Sequence, residues 1–134
     1  MNVAKIKDEI LKQWPKLEVE TFKSESFRVG IGDDYTWFWV CIVTSEKDRL
    51  YTFVSTGNDE IKDSNFQGKF YNFDPNANEI QQINLILMDM FTTFIKNEKR
   101  DWEPIQEECK KWGTTDFLDG EHSFQKLSQI TGIK

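Results

Sequence analysis

Tyr35-Thr36-Trp37-Phe38-Trp39-Val40-Cys41-Ile42-Val43 is the stretch on which the fold turns. It carries no charge and sets two tryptophans and a phenylalanine among β-branched residues, a composition that suits a crowded pleated surface. Read with period two, Tyr35, Trp37, Trp39, Cys41 and Val43 share one face, and Thr36, Phe38, Val40 and Ile42 share the other. Both faces are apolar, which predicts a strand covered on both sides or nearly so.

On its N-terminal side, Phe27, Val29 and Ile31 alternate with Ser26, Arg28 and Gly30. Gly32-Asp33-Asp34 is turn chemistry, since glycine accepts positive φ and aspartate bonds its own backbone. A hairpin into the central strand follows. On the C-terminal side, Ser45-Glu46-Lys47-Asp48 reads as the next turn and Leu50 to Ser55 as the next strand. A polar loop over 55–65 precedes a last strand from Phe66 to Phe73. In it, Phe66, Gly68 and Phe70 would share one face and Lys69, Tyr71 and Phe73 the other. Leu17 and Val19 have the spacing of a short edge strand.

Helices flank this meander. Val3, Ile6, Ile10 and Trp14 form an apolar stripe that Pro15 ends. After the strands, Asp74-Pro75 opens a helix, with Asn78 as a competing cap. Ile80, Ile83, Leu87 and Phe94 mark a stripe over 78–97 that should lie across the sheet. Asp101-Trp102-Glu103-Pro104 reads as the start of a separate helix that stops at Gly113, and Ser123 as the cap of a short final one. The expected architecture is a single α+β domain over 1–134. It has a three- to four-stranded antiparallel meander, an N-terminal helix and two to three C-terminal helices packed on the sheet.

Composition narrows the function. The chain has 134 residues and a formal net charge of −6, with residues 31–60 holding two basic and six acidic side chains. That balance disfavours direct nucleic-acid binding and favours encounter with a basic partner. The longest apolar run is seven residues, Trp37 to Val43, too short to cross a membrane. Residues 1–14 alternate charge and hydrophobe rather than forming a signal-type run, and Cys41 and Cys109 read as buried free thiols. The expected location is the cytoplasm.

Chemistry-bearing patterns are sparse. His122 is the single histidine, and no short Cys-x-x-Cys spacing exists, so no metal site is expected. There is no Gly-x-Ser-x-Gly elbow or phosphate loop, and the lone Gly30-Ile31-Gly32 is followed by acids, wrong in sign for a phosphate. No cofactor and no catalytic residue is assigned, and an enzyme is disfavoured. Asp33-Asp34, Asp59-Glu60 and Glu107-Glu108 are the carboxylate pairs, most simply read as solvated.

The surplus is aromatic. Tyr35, Trp37 and Trp39 share a face, and Tyr51, Tyr71 and Phe73 on neighbouring strands would extend it, where the helices cover the opposite face, into an exposed platform rimmed by Asp33, Asp34, Asp59 and Glu60. Tyrosine and tryptophan are common interface anchors because they bury much area with few torsions to freeze. The plainer reading is a second half-core beneath helices. Small size, acidity and the lack of a catalytic set form the profile of inhibitor and immunity-type proteins. The expectation is therefore a protein-binding module that blocks a basic partner. The alternatives are a ligand-binding domain or carboxylate-based enzyme with an aromatic-lined pocket, and a homodimeric adaptor.

Overall fold

The computed structural model describes residues 1–23, 25–33, 36–43, 46–56, 68–113 and 122–134. The element order is α1 (Val3–Gln13), β1 (Glu18–Phe22), β2 (Ser26–Gly30), β3 (Thr36–Val43), β4 (Glu46–Thr56), β5 (Lys69–Asn72), α2 (Glu79–Lys111) and α3 (Ser123–Thr131). Among the described residues the class is α+β, with one five-stranded antiparallel sheet in the order β1-β2-β3-β4-β5 and three helices. The chain falls into two compact units, Met1–Leu87 and Met88–Lys134, with α2 passing from the first into the second.

The first unit holds the sheet. Every neighbouring pair is antiparallel, and the register sets Val19 beside Val29, Val29 beside Phe38, and Phe38 beside Val54. One row further, Phe27 pairs with Val40 and Val40 with Thr52. These residues share one face because side chains on paired antiparallel positions point the same way. Phe27, Phe38, Val29, Val40 and Leu50 are completely buried there. Each large side chain contributes roughly 1.5–3 kcal/mol by leaving water. Helix α1 lies beside β1 and buries Ile6 and Ile10. Asn2 caps it by accepting from the Lys5 N–H at 3.2 Å, and the chain turns at Trp14 before Pro15.

The sheet has one strand more than the upper count read from the sequence. β1 is a full partner of β2 over five residues. It is the edge strand that the spacing of Leu17 and Val19 suggests, with Glu18 and Glu20 turned outward as befits an edge. β4 begins at Glu46 rather than Leu50, so Glu46, Lys47 and Asp48 belong to a strand and not to a turn. A register shift between Ile42 and Val43 accommodates this early start. Of the strand expected over 66–73, Lys69–Asn72 is strand, and Phe66 and Gln67 lie outside the described residues. The loop expected over 55–65 falls, beyond Thr56, outside the described residues.

The helices also differ. Asn78, not Asp74, caps α2: its side chain accepts from the Gln81 N–H at 3.1 Å. Asp74 closes a separate turn by accepting from the Asn76 N–H at 2.9 Å. The two helices expected over 78–97 and 101–112 are one helix of 33 residues with Pro104 inside it. The Asp101 carboxylate, read as a start signal, sits instead on Arg100 Nε at 3.3 Å. No glycine interrupts 79–111, so proline is the sole breaker and removes a single backbone bond. Gly113, at φ 70°, follows the helix end as expected. In α3 the cap position is His122 rather than Ser123, and the Gln125 side chain accepts from the His122 N–H at 3.0 Å.

Pro104→Ala distinguishes one helix from two. In a continuous α2 it restores the missing hydrogen bond and raises stability by about 1–3 kcal/mol in urea unfolding. A break near Asp101 would put Pro104 in a first turn, where the substitution gains nothing.

Candidate protein-binding face

The other face of the sheet starts from the same alternation. Opposite the core residues, β3 presents Trp37, Trp39 and Cys41, all half-buried. The register places Gly30 beside Trp37, Arg28 beside Trp39 and Ser26 beside Cys41 on β2, and Ser55, Phe53 and Tyr51 beside the same three on β4. β5 sets Phe70 beside Tyr51, and β1 sets Phe22 beside Ser26.

The outcome is a row of rings that runs across the whole sheet. Phe22 stacks on Trp39 with centroids 5.4 Å apart, and Trp39 on Phe53 at 5.5 Å with only 8° between planes. Phe53 meets Tyr51 at 5.8 Å, and Tyr51 meets Phe70 at 4.9 Å. Such offset contacts each contribute about 0.5–1.5 kcal/mol beyond burial. The Phe22–Trp39 contact spans β2, and it can form because Ser26 is small.

Gly30 does the same for Trp37. A Cβ added at Gly30 would lie 2.7 Å from the Trp37 ring, so the indole lies flat on the β2 backbone. Its outer side carries the Arg28 guanidinium, with Cζ 3.8 Å from the ring centroid. Arg28 Nε and Nη2 both donate to Glu20 Oε2, at 2.9 and 2.6 Å. At the far end of the row, Arg49 Cζ lies 4.4 Å over Phe70. Trp39 Nε1 donates to Ser55 Oγ at 3.2 Å, which fixes its ring within the row.

The residues assigned from sequence divide into four groups. Trp37, Trp39 and Tyr51 lie together on this face. Tyr71 does not: it pairs with Leu50, on the opposite face, where Lys69 Nζ lies 4.7 Å over its ring. Phe70 takes the place expected of Tyr71, because β5 is phased one residue away from the assumed pairing with Tyr51. Asp34, Tyr35, Asp59 and Glu60 lie outside the described residues. Asp33 is described, and its carboxylate accepts from the Thr36 N–H at 2.9 Å and from Thr36 Oγ1 at 2.8 Å. It fastens the start of β3.

Phe22, Arg28, Phe53 and Phe70 were not singled out from sequence. Phe53 was legible as the residue two beyond Tyr51. Phe22 and Phe70 needed the register, which period-two reading of one strand does not supply. Cys41 shares the face, and burial pushes its thiol up from the ordinary value while a hydrogen bond with Ser26 pulls the other way. A raised thiol is a poor nucleophile. Neither Cys41 nor Cys109 is in a disulfide.

Other features of the first unit are less directed. Two clefts of 560 and 550 Å³ are lined by loop and helix-end residues, among them Asn2, Lys5 and Glu79 in one and Asp48, Asn76 and Gln82 in the other. Among the described residues, no three His, Cys, Asp or Glu side chains gather as a metal ion requires. No described helix is long and apolar enough to cross a membrane.

In the second unit, Met90, Phe91, Phe94 and Ile95 of α2 are buried, as are Phe124 and Leu127 of α3. The Trp102 and His122 rings meet at 4.0 Å. Burial, and then the charge of Asp101, raises the nearby Glu98 carboxyl above its usual range, while His122 opposes the shift. Ile105 and Trp112 remain exposed.

No family model matches the chain, and no match was found among curated proteins or solved structures.

Gly30→Ala tests how the face is built. The added methyl must displace Trp37, so unfolding should show a loss of about 1–3 kcal/mol together with a change in tryptophan emission. The loss should shrink by more than half in a Trp37→Ala background, where nothing lies over position 30. An equal loss in both backgrounds would mean that the ring does not rest there.

Proposed function

We propose that the chain is a protein-binding module that docks a basic partner on the aromatic face of its sheet, in the manner of an inhibitor or immunity-type protein rather than an enzyme. The observation that carries this reading is the unbroken row Phe22, Trp39, Phe53, Tyr51 and Phe70, with Phe70 still 50% exposed. A folded chain gains most by burying such rings. Rings held in register and still partly exposed form the centre of an interface rather than a random scatter of surface apolar residues.

Size is consistent with this role. Phe70 is half exposed, and Phe22, Trp37, Trp39, Tyr51 and Phe53 each keep a smaller part of their roughly 150–250 Å² open to solvent. A standard interface buries roughly 800 Å² per partner, and the rim can supply the rest. Sign comes from charge: the net −6 would speed the approach of a basic surface, and the rings' negative faces favour cations on arrival. Association should therefore slow steeply with salt while the apolar contacts hold the complex. Neither of the two clefts described above is lined by the rings of this face.

The test is capture with three immobilised baits: the wild type, Tyr51→Ser/Phe70→Ser on the face, and Trp112→Ser on α2. The wild type and Trp112→Ser should retain the same basic protein at low salt and release it at high salt. The double variant should retain at least tenfold less. Equal retention by the double variant, or loss only with Trp112→Ser, would refute the assignment. A wild-type chain that binds only its own copies would point to the homodimeric alternative.

A further inference from the structure

The Arg28 side chain occupies a site with the construction of a cation receptor. The Trp37 ring lies 3.8 Å beneath its guanidinium carbon, with Trp39 at 5.2 Å and Phe22 at 5.8 Å to the sides. The Glu20 carboxylate closes the remaining side at 2.6 Å. Three rings and one carboxylate, drawn from β1 and β3, thus surround a single planar cation. Gly30 and Ser26 make room for the rings at the base.

From this geometry we propose that Glu20, Phe22, Trp37 and Trp39 form a guanidinium-binding subsite, in which Arg28 is a resident that an arginine of the basic partner replaces. This inference rests on the reading of the aromatic face as a protein-binding surface, and it names the side chain that the face receives.

Three points support exchange. Glu20 and Arg28 are 47% and 26% exposed, so an incoming side chain can reach both members of the pair. Arg28 has a long flexible stem that can swing away from the sheet, giving up its two hydrogen bonds to Glu20 and its stack on Trp37 for those a partner brings. Phe53, Tyr51 and Phe70 continue from the subsite along the row, so a partner arginine would bring contacts that Arg28 alone does not make. A guanidinium suits the site better than an ammonium because it stacks flat on an indole while donating in plane to a carboxylate. A free arginine competes poorly against a tethered resident, whose effective concentration is on the order of millimolar or higher.

The experiment titrates N-acetylarginine amide into wild type, Arg28→Ala and Arg28→Ala/Glu20→Gln and follows the indole N–H signals of Trp37 and Trp39 by NMR. Removing the resident should let the probe act at a concentration at least tenfold lower than in wild type. Removing Glu20 as well should cancel most of that gain. N-acetyllysine amide should act more weakly than the arginine probe on Arg28→Ala. Arg28→Gln serves the same purpose if the alanine variant loses its dispersed spectrum. Equal response of wild type and both Arg28 variants, or a gain that ignores Glu20, would overturn the proposal. The readout needs no partner, so failure of the capture experiment and failure of the subsite remain separate results.

Discussion

The aromatic face depends on the lack of bulk on β2. Two positions of that strand, Ser26 and Gly30, are small, and the third, Arg28, sends its charged end over a ring instead of between rings. Phe22 and Trp39 can therefore touch across β2, and Trp37 can lie flat upon it. Ordinary side chains at 26 and 30 would separate β1 from β3 on this face. The rings would then be isolated surface residues instead of a row.

The same central strand holds the core on its other side, where Phe38 and Val40 are completely buried. Two faces of one strand thus serve different ends. The core face gains its free energy by excluding water from Phe27, Phe38 and Leu50. The ring face keeps part of that gain unused, with its aromatics stacked on one another and still partly open to solvent. Such a surface is costly for an isolated chain and useful for one that meets a partner. The two arginines lie over Trp37 and Phe70 and soften the apolar character of the face.

Much of this was legible from local pattern. The alternation of 35–43 located the central strand, Pro15 the end of α1, and Gly113 the end of α2. What local pattern lacked was register. Tyr71 was placed on the ring face because nothing in the sequence fixes how β5 aligns with β4 after a long polar connection, and a slip of one residue exchanges Tyr71 for Phe70. Asp33 looked like a free acid in a turn, whereas Thr36 takes both its oxygens. Pro104 looked like a helix start, yet a helix with strong neighbours on both sides runs through it. Glu46 and Asp48 looked like turn residues because polar side chains in an outer part of a strand carry no strand signal.

The most direct test of the aromatic face as the binding surface is hydroxyl-radical footprinting of the chain alone and in complex with the protein it captures. Protection on binding should concentrate on Phe22, Trp37, Trp39, Tyr51, Phe53 and Phe70, with Ile105 and Trp112 unchanged. Protection centred on Ile105 and Trp112, with the ring row as reactive as in the free chain, would contradict the account.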